Sequence, residues 1–117
     1  EPNGTLPNAK GPMTSGATYR GGFNASQVDQ YGLDRDTWMF TVLTPGQITV
    51  TVISNDTGRQ VKLLNASGAD IPGGFSGDPG ASTTFTVNVT AAGTYYVRVF
   101  SSAQLGTQQY QLRVTHP

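Results

Sequence analysis

Gly93-Thr94-Tyr95-Tyr96-Val97-Arg98-Val99-Phe100, followed after a Gly-containing connection by Tyr110-Gln111-Leu112-Arg113-Val114, decides how this chain is read. Tyr95, Val97 and Val99 alternate with Tyr96, Arg98 and Phe100, and Tyr110, Leu112 and Val114 alternate with Gln111 and Arg113. Period two on both arms is the pattern of half-buried strands. It predicts a terminal β-hairpin whose one face is core and whose other face carries aromatics and arginine into solvent.

The same alternation spreads upstream. From Asp36 to Leu43, Trp38, Phe40 and Val42 share the inward face, and Pro45-Gly46 predicts a tight turn and a second hairpin into Gln47 to Ser54, with Ile48, Val50 and Val52 inward. Arg59 to Asn65 reads as a strand with Val61 and Leu63 on one side, and Ser82 to Val89 as another through Phe85, Val87 and Val89. A first strand is expected from Ala17 to Phe23. Asn24 to Leu33 is polar and aperiodic, a loop with room for one helical turn around Ala25 to Tyr31. Ser67 to Ala81, rich in Gly and Pro, holds at most a short strand around Ala69 to Ile71. Residues 1 to 16 contain three of the seven prolines and read as an extended N-terminal arm, which leaves 17 to 117 as a single domain. The expected fold is an all-β antiparallel sandwich of seven to eight strands with Greek-key or jelly-roll connections.

Composition narrows the function classes. Of 117 residues only 12% are charged and the formal net charge is zero, so there is no electrostatic footprint for nucleic acid or an anionic membrane. Glu occurs once and Lys twice, which starves helices of good formers. Cysteine is absent, so disulfide frameworks and thiolate metal sites are excluded. No apolar run approaches the roughly 20 residues that span a bilayer, and no signal-peptide core is seen. The chain reads as a monomeric module excised from an exported bacterial protein, acting extracellularly. Five Asn-X-Ser/Thr triplets, at Asn3, Asn24, Asn55, Asn65 and Asn88, would be glycosylation acceptors in a eukaryotic secreted protein, but a chain this rich in Asn, Thr and Ser produces such triplets by composition, and that is the reading taken.

Catalysis requires a nucleophile with a base, a carboxylate pair or a metal-bound water. There is no Cys, the one His is His116 beside the terminal Pro117, and the one Glu is Glu1. Ser-His-Asp, Cys-His and zinc-hydrolase sites are therefore excluded. The reading is of a non-enzyme, with His116 a tail residue.

Three blocks together carry a family resemblance. They are Glu1-Pro2-Asn3 with Thr5 and Ala9; Gly21-Gly22-Phe23 followed by Asp34-Arg35-Asp36-Thr37-Trp38-Met39-Phe40 and Pro45-Gly46-Gln47; and Ala92 to Val99 with Tyr110-Gln111-Leu112. In order and spacing the chain resembles the bacterial pre-peptidase C-terminal domain family, whose relatives include the collagen-binding domains of clostridial collagenases. Trp38 stands where a Tyr or Phe is usual, and the loop from Asn24 to Leu33 is longer than typical.

The resemblance implies calcium, bound through the opening segment and a neighbouring loop. Ca²⁺ needs six to eight oxygen ligands, and Glu1, Asn3, Asp34 and Asp36 would converge if the arm packs beside the strand at Asp36, with Asp29 a further candidate. The same aspartates equally suit turns and strand ends, where they cap backbone N–H groups. The second candidate is the outward face: Tyr96 and Phe100 flank Arg98, and Gln109, Gln111 and Arg113 are expected beside them on the last strand. Aromatics with hydrogen-bonding groups between them suit sugar rings or collagen-like chains, and such a face equally suits packing on a neighbouring domain. The function implied is that of a non-catalytic accessory domain of a secreted bacterial hydrolase. It would bind a polymeric substrate, protein or polysaccharide, beside a catalytic domain in the same parent chain. The alternatives are a carbohydrate-binding module and a structural or maturation spacer.

Overall fold

The computed structural model describes residues 9–23, 35–54, 59–76, 82–101 and 108–117. Within them the chain forms β1 (Thr18–Phe23), β2 (Arg35–Val42), β3 (Gly46–Ser54), β4 (Arg59–Leu64), β5 (Asp70–Ser76), β6 (Ser82–Val89), β7 (Gly93–Ser101) and β8 (Gln108–Thr115). The strands build two antiparallel four-stranded sheets, in the orders β1-β8-β3-β6 and β2-β7-β4-β5. This is jelly-roll winding, in which the chain passes repeatedly from one sheet to the other. No described segment is a helix long and apolar enough to cross a membrane.

Both expected hairpins are overturned by this topology. β7 pairs with β2 and β4, whereas β8 pairs with β1 and β3, so the arms quoted first lie in opposite sheets. Likewise the Pro45 corner carries the chain from β2 in one sheet to β3 in the other. Among the described strands only β4 and β5 are neighbours both in sequence and in a sheet. Alternation reports which side of a strand is buried, and that side is the same whether the next strand turns back beside it or crosses above it.

The inward faces are as expected. Trp38, Phe40, Val42, Tyr95, Val97, Val99, Val61 and Leu63 from one sheet meet Ile48, Val50, Val52, Val87, Val89, Tyr110, Leu112 and Val114 from the other. Phe85 and Tyr19 pack partly against them. Burying each such side chain contributes roughly 1.5–3 kcal/mol.

The segment expected to hold only a short strand around Ala69 to Ile71 is a seven-residue strand, β5. It is an edge strand, where Pro72 forfeits no central ladder bond, and its register against β4 is irregular. Asn65 closes the β4–β5 loop: its Oδ1 accepts from the Ser67 amide, the Ser67 hydroxyl and the Ala69 amide at 2.8–3.0 Å. At the opposite edge of this sheet, residues 10–13 run along β2. The Lys10 amide donates to the Thr37 carbonyl, the Met39 amide to the Lys10 carbonyl and the Met13 amide to the Met39 carbonyl, at 2.7–2.9 Å. An edge strand covered in this way is closed to stray pairing. Close approach requires glycine at position 11, where φ is 133° and a Cβ would stand 2.5 Å from the Met39 carbonyl oxygen. Met13 follows into the core.

His116 is not a loose tail. Its ring stacks on Phe40 at 5.2 Å, and its backbone N–H and carbonyl both bond the Ser15 hydroxyl. The helical turn expected around Ala25 to Tyr31 lies outside the described residues.

Candidate functional site

The outer face of the β2-β7-β4-β5 sheet holds Tyr96 and Arg98. Register places Tyr96 between Met39 and Leu64, and Arg98 between Thr37 and Lys62. An apolar row therefore lies beside a polar, cationic one. Arg98 Nε donates to Thr37 Oγ1 at 3.1 Å, and Lys62 Nζ lies 3.6 Å from the Asp70 carboxylate. Tyr96 and Arg98 are half-buried. Thr37 is 0% exposed and Leu64 2%, so this is not a bare plate. What it offers a ligand is a half-buried aromatic beside a guanidinium bonded to Thr37. Phe100 continues the outward series of β7 opposite Arg35 and Gln60, but its side chain lies outside the described residues.

Gln111, Arg113 and Gln109 do not join this group. They sit on β8, in the other sheet, and Gln111 and Arg113 are exposed on that sheet's outer face. The expectation of one face built from β7 and β8 is corrected by the crossing between sheets. Tyr96 and Gln111 look out from opposite sides of the sandwich.

Of the residues named for calcium, Glu1, Asn3 and Asp34, with Asp29, lie outside the described residues. Asp36 is described, and it points into the core. Its carboxylate is 0% exposed and accepts the Tyr110 hydroxyl at 2.6 Å, while that hydroxyl oxygen accepts from Trp38 Nε1 at 3.0 Å. A relay thus runs from Trp38 and Asp36 on β2 to Tyr110 on β8, joining the two sheets. Gly21 faces Tyr110 across the β1–β8 ladder, and a Cβ there would overlap the tyrosine ring and hydroxyl. Tyr19 packs tilted on Trp38 at 5.6 Å, and Lys10 Nζ lies 5.1 Å from the Trp38 ring centre. Sequence reasoning missed this unit. The available signal was that Asp36 stands two residues before Trp38 and so shares its inward face. A carboxylate remains there only with strong donors or a cation. Its oxygen is the right kind of donor for calcium, but among the described residues no group of three His, Cys, Asp or Glu side chains converges.

At one end of the sandwich, a shallow depression of about 310 Å³ lies between the Asn65–Ser67 turn and Ala91–Tyr95. Tyr95 closes its floor by donating to the Ala91 carbonyl at 2.6 Å.

No curated protein matches the sequence. Among solved structures, the pre-peptidase C-terminal domain of a collagenase from Bacillus anthracis superposes with a TM-score of 0.60 at 20% identity, covering 86% of this chain and 90% of that one. PliG of Aeromonas hydrophila, a periplasmic inhibitor of g-type lysozyme, gives 0.55 at 20% identity over 85% and 83% of the two chains. The Yersinia pseudotuberculosis-derived mitogen gives 0.52 at 16% identity over 86% and 85%. At such identities these likenesses establish the shared sandwich and nothing about ligands. The sequence itself goes further, because the pattern of the bacterial pre-peptidase C-terminal domain matches residues 34–101, from the start of the Asp36–Trp38 block to the end of β7. With more than half of its length matched and the eight-stranded sandwich in place, the chain belongs to the bacterial pre-peptidase C-terminal domain family.

Proposed function

We propose that this domain is a non-catalytic accessory module of a secreted bacterial hydrolase and that it holds the catalytic neighbour on an extracellular polymer. The observation that carries the reading is the outer row Met39–Tyr96–Leu64 beside Arg98, an aromatic on the solvent side of a sheet with a guanidinium held by Thr37. Weak gripping by such a face is enough, because tethering turns each later encounter into an intramolecular one at high effective concentration.

Pull-down on insoluble collagen, cellulose and chitin tests this. Retention on one of them, lost in Tyr96→Ala and weakened in Arg98→Ala, is the expected result. Retention on none, with the yield of the parent enzyme altered on deletion of the domain, would replace the reading with a maturation spacer. Retention on a glycan alone would make it a carbohydrate-binding module. Calcium belongs to the same proposal: Glu1, Asn3, Asp34 and Asp36 would supply oxygen ligands, and the ion would fix the opening segment to the head of β2.

A further inference from the structure

The outer face of the β1-β8-β3-β6 sheet differs in kind from the face that holds Tyr96. Its four strands contain neither Asp nor Glu, whereas Asp36 and Asp70 both belong to the other sheet. Tyr19, Leu112 and Val52 pack into the core, so Thr18, Arg20, Gln111, Arg113, Thr51 and Ile53 line the outside. Register sets Thr18 opposite Arg113 and Arg20 opposite Gln111, which makes the two arginines diagonal neighbours, roughly 7–8 Å apart at the backbone and within reach of each other's guanidinium. Like charges so placed repel, and no carboxylate on these strands offsets them.

The neighbouring groups say what kind of anion fits. Arg113 Nε donates to Thr18 Oγ1 at 3.3 Å, which orients the guanidinium and leaves its outer N–H pair for a second, two-pronged acceptor. Thr51, with Thr18 and Gln111, adds groups that both donate and accept, as sugar hydroxyls do. Ile53 is 45% exposed and offers an apolar spot for the C–H side of a pyranose ring. Between them is a notch of about 10 Å³, the room of roughly one water. Four strands about 4.8 Å apart give a surface on which an extended chain can lie. Two cations in a chain of zero net charge are too few for a polyphosphate backbone, whose binding draws on many such contacts.

We propose that this face is a second binding surface, for a carboxylated polysaccharide, with Arg20 and Arg113 gripping uronate carboxylates and Thr18, Thr51 and Gln111 bonding ring hydroxyls. It is independent of the Tyr96 face, on the opposite side of the sandwich. Affinity electrophoresis of the 117-residue chain in gels containing alginate, neutral dextran or dextran sulfate tests it. Alginate is expected to retard the protein and dextran to leave it unmoved. The double variant Arg20→Gln/Arg113→Gln should weaken the alginate effect about tenfold or more, the loss of charge-assisted bonds. Arg113→Lys should fall between, since it keeps the charge and loses the fork. Tyr96→Ala should bind alginate as the parent does, so failure on collagen, cellulose or chitin and failure here are separable. Indifference to alginate, alginate binding that survives the double variant, or tighter binding to dextran sulfate than to alginate would each overturn the proposal. Both arginines are exposed, and unchanged melting of the variants will show that the fold is intact.

Discussion

Tyr95 and Tyr110 are both buried tyrosines on strands of the core, and they use their hydroxyls differently. Tyr110 reaches across the sandwich, accepting from Trp38 and donating to Asp36, partners 72 and 74 residues away in sequence. Tyr95 reaches back four residues to the Ala91 carbonyl at the turn into its own strand. One hydroxyl joins two sheets and donates to a carboxylate in the core; the other pins a single part-buried turn. The difference teaches that a tyrosine's contribution here is set less by its ring than by what its hydroxyl would leave behind if removed.

The largest effect is expected at Tyr110. Tyr110→Phe keeps the ring and removes both bonds, taking one partner each from the buried Asp36 carboxylate and the Trp38 N–H. A loss of about 3 kcal/mol follows from the cost of a deprived buried charge, seen as a fall in the melting midpoint on the order of 10 °C. In a double-mutant cycle with Asp36→Asn, the two changes should cost clearly less together than the sum of each alone. Strict additivity would mean that the relay carries no energy of its own.

Much of the fold was legible because alternation is a local signal. The inward sets Trp38-Phe40-Val42, Ile48-Val50-Val52, Tyr95-Val97-Val99 and Tyr110-Leu112-Val114 are all buried as period two demands. Pairing was not legible, since β7 and β8 would bury the same side chains as a hairpin or as a crossing, and only long-range register chooses. That one ambiguity decided the candidate site: it moved Gln111 and Arg113 to the far side of the molecule from Tyr96. β5 was hidden for another reason, because Pro72 and its glycine neighbours speak for turns unless the strand lies at an edge. Gly21 was visible as a residue of the family pattern, but its reason, the Tyr110 ring laid against it, needed the ladder between β1 and β8.

Calcium sharpens the same comparison from the Asp36 end. On the proposed ligand set, a hundredfold excess of the ion over its Kd is expected to stabilise the domain by about 2.7 kcal/mol, because it binds only the folded chain. EDTA should reverse the gain. Asp34→Asn should abolish it with little change in the EDTA midpoint, which separates metal binding from the core role of Asp36. A midpoint indifferent to calcium and EDTA alike would remove Glu1, Asn3, Asp34 and Asp36 as a metal set. The Tyr95 turn contributes no carboxylate to any such site.

The smallest effect belongs to Tyr95. Tyr95→Phe removes one neutral hydrogen bond to the Ala91 carbonyl, and that carbonyl lies at a part-buried turn lining an open depression. Water can take the place of the hydroxyl there, so the cost is that of an ordinary neutral bond, about 1 kcal/mol. The ring stays stacked on Phe40, with centroids 6.0 Å apart, so the packing contribution is kept. The loss should also stay local: amide exchange is expected to speed up from Ala91 to Thr94 and to be unchanged at Trp38 and Leu112, whereas Tyr110→Phe should loosen β1, β2 and β8 together. If Tyr95→Phe proves as costly as Tyr110→Phe, the turn into β7 is a structural keystone in its own right, and the contrast between a hydroxyl that joins sheets and one that pins a turn fails.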